Sequence, residues 1–369
     1  MRELEYDRLI RILTNPPEVR KPVILPDFFV DHFVISGNLD MFIANLRKLA
    51  NQGGGNLIGT NQFIRRGGNA VNLATALFNL GINSSLIVTT DSYGAKLLKA
   101  LVPPDFDLSH VHTNGRLSST VSLELEHETR RVNLMISDSG SSADFAFSQL
   151  DEDDLLAIRK SSLVALQNLN HNRNPAQLAK ELFLFTKESS KALTFIDMGD
   201  PSGNPAIIEP FTNEVLMNGL VDIVSMNENE AVWFAWALAR KDSTWRAKVA
   251  KPKQWLKAAT YVAKETGTRV DLHTPYYTAS ISEDECITQP VFEAICRVTC
   301  GAGDAWNSGD ICGTLFGISP SDRLVLANAV ASLYVSSALA QHPTLDQVVE
   351  YLRDTPAVMD IDEKLLRTK

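Results

Sequence analysis

The sequence predicts an α/β protein with a central, mostly parallel β-sheet. From about residue 84 onward, short apolar runs of strand length alternate with amphipathic helical stretches, the pattern of consecutive βα units. Two earlier or intervening segments break this rhythm and indicate extra β-structure outside the main sheet. No repeat, linker or composition shift marks a boundary, so residues 1–369 are predicted to form a single domain.

Five apolar runs are the predicted strands of the main sheet. Each is rich in Val, Ile, Leu or Phe, and most precede a candidate helix. They cover residues 84–90, 161–166, 191–197, 220–226 and 268–273.

The two irregular segments are predicted to form a small β-lid. Residues 37–66 hold a helical patch and a glycine break at 53–55. Residues 118–136 alternate in polarity, as TVSLELE and RRVNLMI, around a turn at 127–129. A hairpin with one polar face that projects from a βα domain is typical of a lid, here expected at about 33–66 and 118–137.

The bulk properties exclude several classes of protein. A net charge of −9 and a pI near 5.3 argue against nucleic-acid binding, which needs clustered Lys and Arg. Residues 1–22 are charged throughout and predict a short amphipathic helix rather than a secretion signal. The apolar runs are far shorter than the roughly 20 residues of a membrane span. We therefore expect a cytoplasmic protein without membrane contact.

The four cysteines are expected to be reduced and mostly buried. They lie at Cys286, Cys296, Cys300 and Cys312, with no C-x-x-C pair and no histidine at zinc-finger spacing. Whether Cys296 and Cys300 pair under oxidising conditions is left open by the sequence.

The segment RVTCGAGDAWNSGDICGTLFG is the sharpest local signal. Gly301, Ala302 and Gly303 precede an apolar-periodic helix, where backbone N–H groups converge on an anion. Asp304 is unexpected in an anion-binding turn, because its carboxylate repels phosphate. It fits a general base that takes a proton from a hydroxyl attacking phosphorus. The alternative reading is an ordinary helix N-cap.

A second glycine turn occurs in RRGGNAVNLATALFNLGI. Gly67 and Gly68 allow close approach of a ligand to the backbone, and the amides of Asn69 and Asn72 follow at the start of a predicted helix. A tight turn without a ligand explains the glycines equally well. Neither turn is a G-x-G-x-x-G dinucleotide motif or a G-x-x-x-x-G-K-[ST] P-loop, which disfavours a dehydrogenase and a P-loop nucleotidase.

Together and in this order, the two segments resemble the paired signatures of the ribokinase-like (PfkB) carbohydrate kinases. The signatures are G-G-N-A-x-N-x-A and T-x-G-A-G-D-A, and the resemblance extends over roughly residues 22–355. It implies a three-layer α/β/α fold with a β-lid. It also implies ATP and Mg²⁺ as cofactors, a small-molecule sugar or nucleoside substrate, and a homodimer formed through the lid.

The resemblance assigns further roles to individual residues. PDFFVDHFV is similar to the family's first strand, whose closing Asp, here Asp31, binds substrate hydroxyls. MNENEA matches N-x-x-E, so Asn227 and Glu230 would organise magnesium indirectly together with the phosphates. Asn328 falls on the helix that lines the adenine pocket. Taken singly, each of these has a purely structural reading as a cap or a surface residue.

The chain also departs from the family pattern. Val298 stands where most members have an Asp that helps build a monovalent-cation site, which makes potassium dependence doubtful. HTPYYTAS replaces the G-x-x-G turn near the phosphates, so the donor pocket is expected to be reshaped. Asn69 replaces the Lys of ribokinase, and Phe29 replaces an Asn that holds ribose there. Ribose is therefore not a safe prediction of the substrate.

The loop ALQNLNHNRN after the strand at 161–166 is expected to contact substrate. Its candidate ligands are Asn168, Asn170, His171 and Arg173, although polar residues are common in loops of any kind.

The predicted activity is phosphoryl transfer from ATP to a sugar hydroxyl, with Asp304 as base and the amides of residues 301–304 as the anion hole. Asp31 would orient the acceptor. Two alternatives stay open at this stage. One is a nucleoside kinase of the same superfamily, and the other is a sugar- or nucleotide-binding sensor without catalysis.

Overall fold

Within residues 6–128, 130–246 and 251–360, which the computed structural model describes, the chain forms fourteen strands and twelve α-helices. The strands are β1 Val23–Leu25, β2 Phe29–Asn38, β3 Asn61–Gly67, β4 Ser85–Leu86, β5 Val88–Thr89, β6 Val111–His112, β7 Ser118–His127, β8 Arg130–Asp138, β9 Leu163–Gln167, β10 Leu193–Asp197, β11 Ile223–Asn227, β12 Arg269–His273, β13 Tyr277–Ile281 and β14 Cys286–Pro290. The helices are α1 Asp7–Thr14, α2 Leu39–Asn51, α3 Asn69–Asn79, α4 Ser92–Leu101, α5 Glu152–Lys160, α6 Pro175–Ser189, α7 Ile208–Phe211, α8 Glu228–Leu238, α9 Pro252–Thr266, α10 Ala302–Leu315, α11 Pro320–Ser336 and α12 Leu345–Arg353.

The main sheet has eight strands in the order β14-β13-β12-β11-β10-β9-β1-β4. The six strands from β12 to β4 are parallel, and β13 and β14 extend the sheet as antiparallel edge strands. The predicted α/β class and mostly parallel sheet are therefore confirmed. The predicted strand at 84–90 is divided into β4 and β5, because β5 leaves the main sheet and pairs with β6.

Helices cover both faces of the main sheet, which gives three layers. Along β9, Val164 and Leu166 enter one hydrophobic core with α6, α8 and α9, whereas Leu163 and Ala165 enter the other with α3, α10 and α11. Successive side chains of a strand point to opposite faces, so a strand covered on both faces must be apolar throughout. This is why the main-sheet strands read as continuous apolar runs.

A separate four-stranded sheet, β3-β2-β7-β8, forms the lid. Strands β2 and β7 are parallel, and β3 and β8 flank them in antiparallel pairing. The lid prediction at about 33–66 and 118–137 thus fits the observed strands, with α2 between β2 and β3. The turn predicted at 127–129 includes Thr129, which lies outside the described residues, as do residues 1–5 of the predicted N-terminal helix.

Asp31 is a correction to the strand prediction. The first strand of the main sheet is the short β1, which ends at Leu25, and Asp31 lies on β2 in the lid sheet. The resemblance to the family's first strand treats PDFFVDHFV as one strand, although Pro26 and Asp27 are residues typical of a turn. The chain instead turns at 26–28 and changes sheets.

The cysteine prediction also needs correction. All four are free thiols, but Cys286, Cys296 and Cys300 are exposed and only Cys312 is buried. Cys312 lies within α10 against the sheet, whereas the other three lie on the edge strand β14 or in the loop before α10. In the described part of the chain, no helix combines the length and apolar character needed to cross a bilayer.

Buried ion pairs anchor α10 in place. Arg323 of α11 donates from Nη1 to Asp271 of β12 at 3.0 Å and also bonds Asp310 of α10. All three side chains are buried, so each charge needs its partners, and removing one would leave a bare charge inside the protein. The network ties the helix that carries the 301–304 turn to the sheet and to α11.

Candidate active site

Asp304 lies in the first turn of α10, at the centre of the candidate site. The helix begins after Gly301, whose φ of +83° is a backbone conformation that suits glycine. Asp304 is 3% exposed, and its Oδ2 accepts a hydrogen bond from Asn72 Nδ2 at 3.0 Å. Its Oδ1 is shielded from solvent and has no hydrogen-bond partner among the described residues. One carboxylate oxygen is therefore available to accept a proton from a bound ligand.

The surroundings of Asp304 make it a stronger base than an ordinary aspartate. Burial raises the pKa of its carboxyl well above the usual range, and the nearby carboxylates of Asp197 and Asp27 raise it further. The hydrogen bond from Asn72 and the positive charge of Arg66 act in the opposite direction. A group with a raised pKa holds a proton more firmly once it has accepted one.

The predicted anion hole is formed by the N-terminus of α10. The N–H of Ala302 donates to the carbonyl of Thr299 at 3.1 Å, which closes the turn before the helix. The N–H groups of Gly303 and Asp304 follow in the first helical turn, where no preceding helical carbonyl is available to accept them. They are the better candidates for an anion, and the roles predicted for Gly301, Ala302 and Gly303 remain predictions.

The Gly67-Gly68 turn is held by Asp27, a residue that the sequence analysis missed. The Asp27 carboxylate accepts from the N–H groups of Asn69 at 3.1 Å and Ala70 at 2.8 Å, and so caps α3. A Cβ on Gly68, whose φ is +90°, would lie 2.7 Å from the carbonyl oxygen of Asp27. Because cap and helix are about 42 residues apart in the chain, no local pattern reveals this contact.

Asp31 faces Gly67 across the pairing of β2 and β3. A Cβ on Gly67 would lie 2.2 Å from Asp31 Oδ2, so only glycine leaves room for this carboxylate. Burial raises the pKa of Asp31 to about 6, with a further contribution from the negative charge of Asp27. Asn72 thus bonds Asp304 directly, while Asp31 lies against Gly67, and the negative charge of Asp27 acts on both Asp31 and Asp304.

The loop after β9 contributes unequally to this group. Asn168 donates to Asp27 Oδ2 at 2.7 Å, and the Oδ1 of Asn170 is shielded from solvent without a partner among the described residues. The ring of His171 packs on Phe29 at 4.9 Å. Arg173 instead forms an exposed ion pair outside the site. Asn170 therefore stays a predicted ligand contact, whereas Asn168, His171 and Arg173 have partners within the protein.

A cleft of about 1670 Å³ opens beside this group, between the lid and the helices α3, α11 and α12. Its walls combine charged, polar and aromatic side chains, which include Asp31, Phe63, Arg65, Arg66, Asn72 and Tyr334.

The sequence analysis missed Arg65 and Arg66, which both line this cleft. Arg66 donates from Nε to Thr75 Oγ1 at 3.0 Å. The guanidinium of Arg65 lies over the rings of Phe63, at 4.7 Å, and Phe33, at 5.7 Å. Both stand directly before the Gly67-Gly68 turn in RRGGNAVNLATALFNLGI. That position was the signal by which the sequence could have marked them as residues near the site.

Asn227 and Glu230 form a capping box at the start of α8. Asn227 Oδ1 accepts from the N–H groups of Asn229 and Glu230, while Glu230 accepts from the N–H and the side-chain amide of Asn227. Glu230 is 3% exposed, and burial raises the pKa of its carboxyl well above the usual range. The N-x-x-E motif thus forms the helix cap that was the alternative to a role in magnesium binding.

Glu230 has three acidic neighbours. The negative charges of Asp197, Asp200 and Glu228 each raise the pKa of Glu230, so several carboxylates repel one another at this edge of the sheet. Oxygen ligands of this kind are those that Mg²⁺ prefers, and a cation would relieve the repulsion. Among the described residues, however, the ligand atoms of three such side chains come close enough together for one ion only at His112, Asp151 and Asp154. Asn227 and Glu230 therefore remain predicted to organise magnesium indirectly.

Asn328, the other predicted nucleotide ligand, makes its hydrogen bonds away from Asn227 and Glu230. Its Oδ1 accepts from Trp306 Nε1 at 3.0 Å, and its Nδ2 donates to the carbonyl of Pro290 at 2.9 Å. The side chain is 2% exposed. A contact to adenine would require these hydrogen bonds to be replaced, so Asn328 as a cofactor ligand remains only a prediction.

Comparison with known proteins agrees with this geometry. A family model described as pfkB family carbohydrate kinase matches residues 41–347. The structure is similar to ribokinase of Arabidopsis thaliana complexed with ribose and ATP, with a TM-score of 0.71 and 19% identity over 91% of this chain and 99% of that one. It is also similar to a nucleoside kinase of Methanocaldococcus jannaschii, with a TM-score of 0.60 and 15% identity over 91% and 99% of the two chains.

A curated relative shares higher identity over a shorter segment. Fructoselysine 6-kinase of Escherichia coli (strain K12) is 40% identical over 87 residues, which are 23% of this chain and 33% of the relative. The match thus spans about a third of that protein's length.

Proposed function

The chain belongs to the pfkB family of carbohydrate kinases, and we propose that it transfers the γ-phosphoryl group of ATP to a hydroxyl of a sugar or sugar-like molecule. The observation that carries this proposal is Oδ1 of Asp304, which has no hydrogen-bond partner among the described residues and lies at a helix N-terminus beside a large cleft. A hydrogen-bonding group left without a partner inside a protein is costly, and a bound hydroxyl would supply that partner.

Asp304 acts as the general base in the proposed reaction. The acceptor hydroxyl oxygen forms a bond to the γ-phosphorus as the bond from that phosphorus to the bridging oxygen of ADP breaks. The hydroxyl proton passes to Oδ1 of Asp304. Asn72, which donates to Oδ2, holds the carboxylate in the orientation that presents Oδ1 to the acceptor.

Backbone amides and the lid complete the proposed mechanism. The N–H groups of Gly303 and Asp304 neutralise charge that develops on the transferred group, a contribution that does not require side chains to reorganise. Asp31 and Asn170 bind acceptor hydroxyls and fix the position of the reactive one. The lid sheet, which carries Asp31, covers the cleft and limits access of water to the phosphoryl group.

Magnesium is the metal of the proposed reaction, and Asn227 and Glu230 are proposed to organise it indirectly. When bound, it would neutralise charge on the donor phosphates. Asn227 holds Glu230 through two hydrogen bonds, at 2.9 and 2.8 Å, and fixes the direction of its carboxylate. Asp197 accepts from Asn307 Nδ2 at 2.6 Å, so a residue of α10 orients one of the acidic neighbours of Glu230.

The acceptor is proposed to be larger than a simple pentose. The cleft exceeds the 300–1,000 Å³ typical of small-molecule sites, and its wall carries both arginines and carboxylates. The fructoselysine 6-kinase relative is named for a sugar joined to an amino acid. A sugar with a charged amine- or carboxylate-bearing substituent is therefore our preferred acceptor class, with plain sugars and nucleosides as the comparison set in a substrate panel.

A homodimer formed through the lid is the proposed assembly. The lid presents exposed apolar side chains at Ile64, Leu134 and Ile136, which are 52%, 43% and 64% exposed. Exposed apolar side chains on both edge strands of the lid sheet favour a role of this sheet in an interface. A monomeric mass in solution would contradict this assembly.

The substitution D304N tests the catalytic proposal. Asparagine has the size of aspartate but cannot accept the proton, so turnover should fall by about two orders of magnitude or more, the scale of general-base catalysis. The measurement is ADP release with magnesium and an accepted sugar, together with the affinity of the variant for that sugar.

The matched control is D322N, which removes a carboxylate from the start of α11 rather than α10. It should leave turnover within about twofold of the parent, as expected for a partly exposed surface residue. Unchanged turnover in D304N would remove Asp304 from the mechanism. Binding of sugar and nucleotide by the unmodified protein without any ADP release would favour the sensor alternative.

A further inference from the structure

His273 lies between the two parts of the site proposed to contact phosphate. It is the last residue of β12, and in the parallel pairing its Cα is the partner of Asn227, the last residue of β11. A Cβ placed on Gly303 would be 3.4 Å from His273 Cε1 and 3.9 Å from Nε2. The ring thus touches the N-terminus of α10 on one side and neighbours the Asn227 capping box on the other.

The Nε2 atom of His273 has no role inside the described protein. It is shielded from solvent and lacks a hydrogen-bond partner among the described residues. The ring packs on Trp306 at a centroid distance of 5.1 Å and a tilt of 32°, so its orientation is fixed by packing. Shielded polar atoms are nearly always paired in folded proteins, and this one faces a helix N-terminus.

The imidazole is neutral near physiological pH. Burial lowers the pKa of His273 to about 4, and the neighbouring Asp271 only partly offsets this. A neutral imidazole carries one N–H, and an anion beside Nε2 would favour the tautomer with the proton on that atom. Such a group adds a hydrogen bond without adding a charge.

We propose that His273 donates a hydrogen bond from Nε2 to a phosphate oxygen of the phosphoryl donor. This inference rests on the proposed kinase function and names a donor-binding residue at the position where the sequence has HTPY in place of the family's G-x-x-G turn. A phosphate chain that extends from the α10 N-terminus toward the Asn227 edge passes His273 on the way. The side chain thereby supplies a contact that a glycine cannot make.

The experiment measures binding of ADP with magnesium by titration calorimetry, in the full chain and in two variants. H273F keeps an aromatic ring against Trp306 but removes the donor atom. H273Q keeps an N–H donor at about the position of Nε2. H273F should weaken ADP binding by about three- to tenfold, the range for one neutral hydrogen bond, whereas H273Q should stay within about twofold of the parent.

The matched control is H342F. His342 is another stacked histidine with a shielded ring nitrogen that lacks a partner among the described residues, but it lines the acceptor cleft. H342F should leave ADP affinity unchanged. Thermal melting of all variants checks folding, and H273L replaces H273F if phenylalanine does not fit against Trp306.

Three outcomes would overturn the inference. Equal ADP affinity in H273F and the parent would show that Nε2 makes no contact. Equal weakening in H273F and H273Q would show that His273 acts only through packing. Failure of the parent itself to bind ADP would overturn the proposed kinase function, and this inference with it.

Discussion

The acceptor and donor sides of the site are built differently. On the acceptor side, Asn72 bonds Asp304, and Asp31 lies so close to Gly67 that a single Cβ on Gly67 would displace its carboxylate. On the donor side, the residues expected to bind nucleotide are largely engaged within the protein. Asn227 caps α8, and Asn328 bonds Trp306 and Pro290.

The difference is reflected in the two motifs, which are the Gly67-Gly68 turn on the acceptor side and N-x-x-E at Asn227 on the donor side. The acceptor motif encodes a shape, since Gly67 and Gly68 are required by distances that hold whether or not a ligand is bound. The donor motif encodes polar groups, and polar groups satisfy one another when no ligand is present. We therefore expect the acceptor side to be preformed and the donor side to exchange internal hydrogen bonds for contacts to phosphate.

The pH dependence of activity should show the largest effect. Because the pKa of Asp304 is raised well above its usual value, the base binds a proton as the pH falls through that raised pKa. The value of kcat/KM should then fall about tenfold per pH unit, at a pH well above that of an ordinary aspartate near 3.9. The measurement is a kcat/KM profile from pH 5 to 9 under acceptor-limited conditions.

The same raised pKa should affect folding stability in the opposite direction: activity should rise with pH, whereas the contribution of Asp304 to stability should fall. A folded-state pKa above the unfolded value favours folding when the group is protonated, and this stability is lost as the pH rises through the folded pKa. D304N should therefore melt at a higher temperature than the parent at pH 8, and the difference should disappear at low pH.

For the activity profile, a kcat/KM that stays flat down to pH 5 would contradict the proposed environment of Asp304.

The substitution G67A tests whether the acceptor side is preformed. The added methyl group would lie 2.2 Å from Asp31 Oδ2, so the carboxylate must move away from its position. The KM for the acceptor should rise by about tenfold or more, the cost of a misplaced positioning group, while ADP affinity stays unchanged. Steady-state kinetics and ADP titration measure the two sides separately.

G37A is the matched control for this substitution. Gly37 lies on the same strand as Asp31, and a Cβ there would meet no atom within 4 Å. Its kinetic constants should equal those of the parent. If G67A weakens ADP binding as much as it weakens acceptor binding, the two sides are not independent.

The sequence could predict what depends on local pattern. The main-sheet strands and the helix after Gly301 follow from apolar runs and glycine positions. The position of Asp31 in the lid was missed because the resemblance treats PDFFVDHFV as one strand, although Pro26 and Asp27 are typical of the turn at 26–28. Asp27 was missed because its partners on α3 are distant in the chain.

Potassium should have the smallest effect. Val298 stands where the family pattern has an acidic residue, and the turn before α10 is held by the hydroxyl of Tyr334, which donates to the carbonyl of Cys300 at 2.8 Å. A side chain therefore stabilises the turn where the resemblance would place an ion. Turnover in potassium chloride should be within about twofold of turnover in choline chloride at equal ionic strength, which separates a specific ion effect from screening. Tenfold activation by potassium would mean that carbonyls near Cys300 bind the ion despite Val298. The site would then have a cation-dependent region in addition to its acceptor and donor sides.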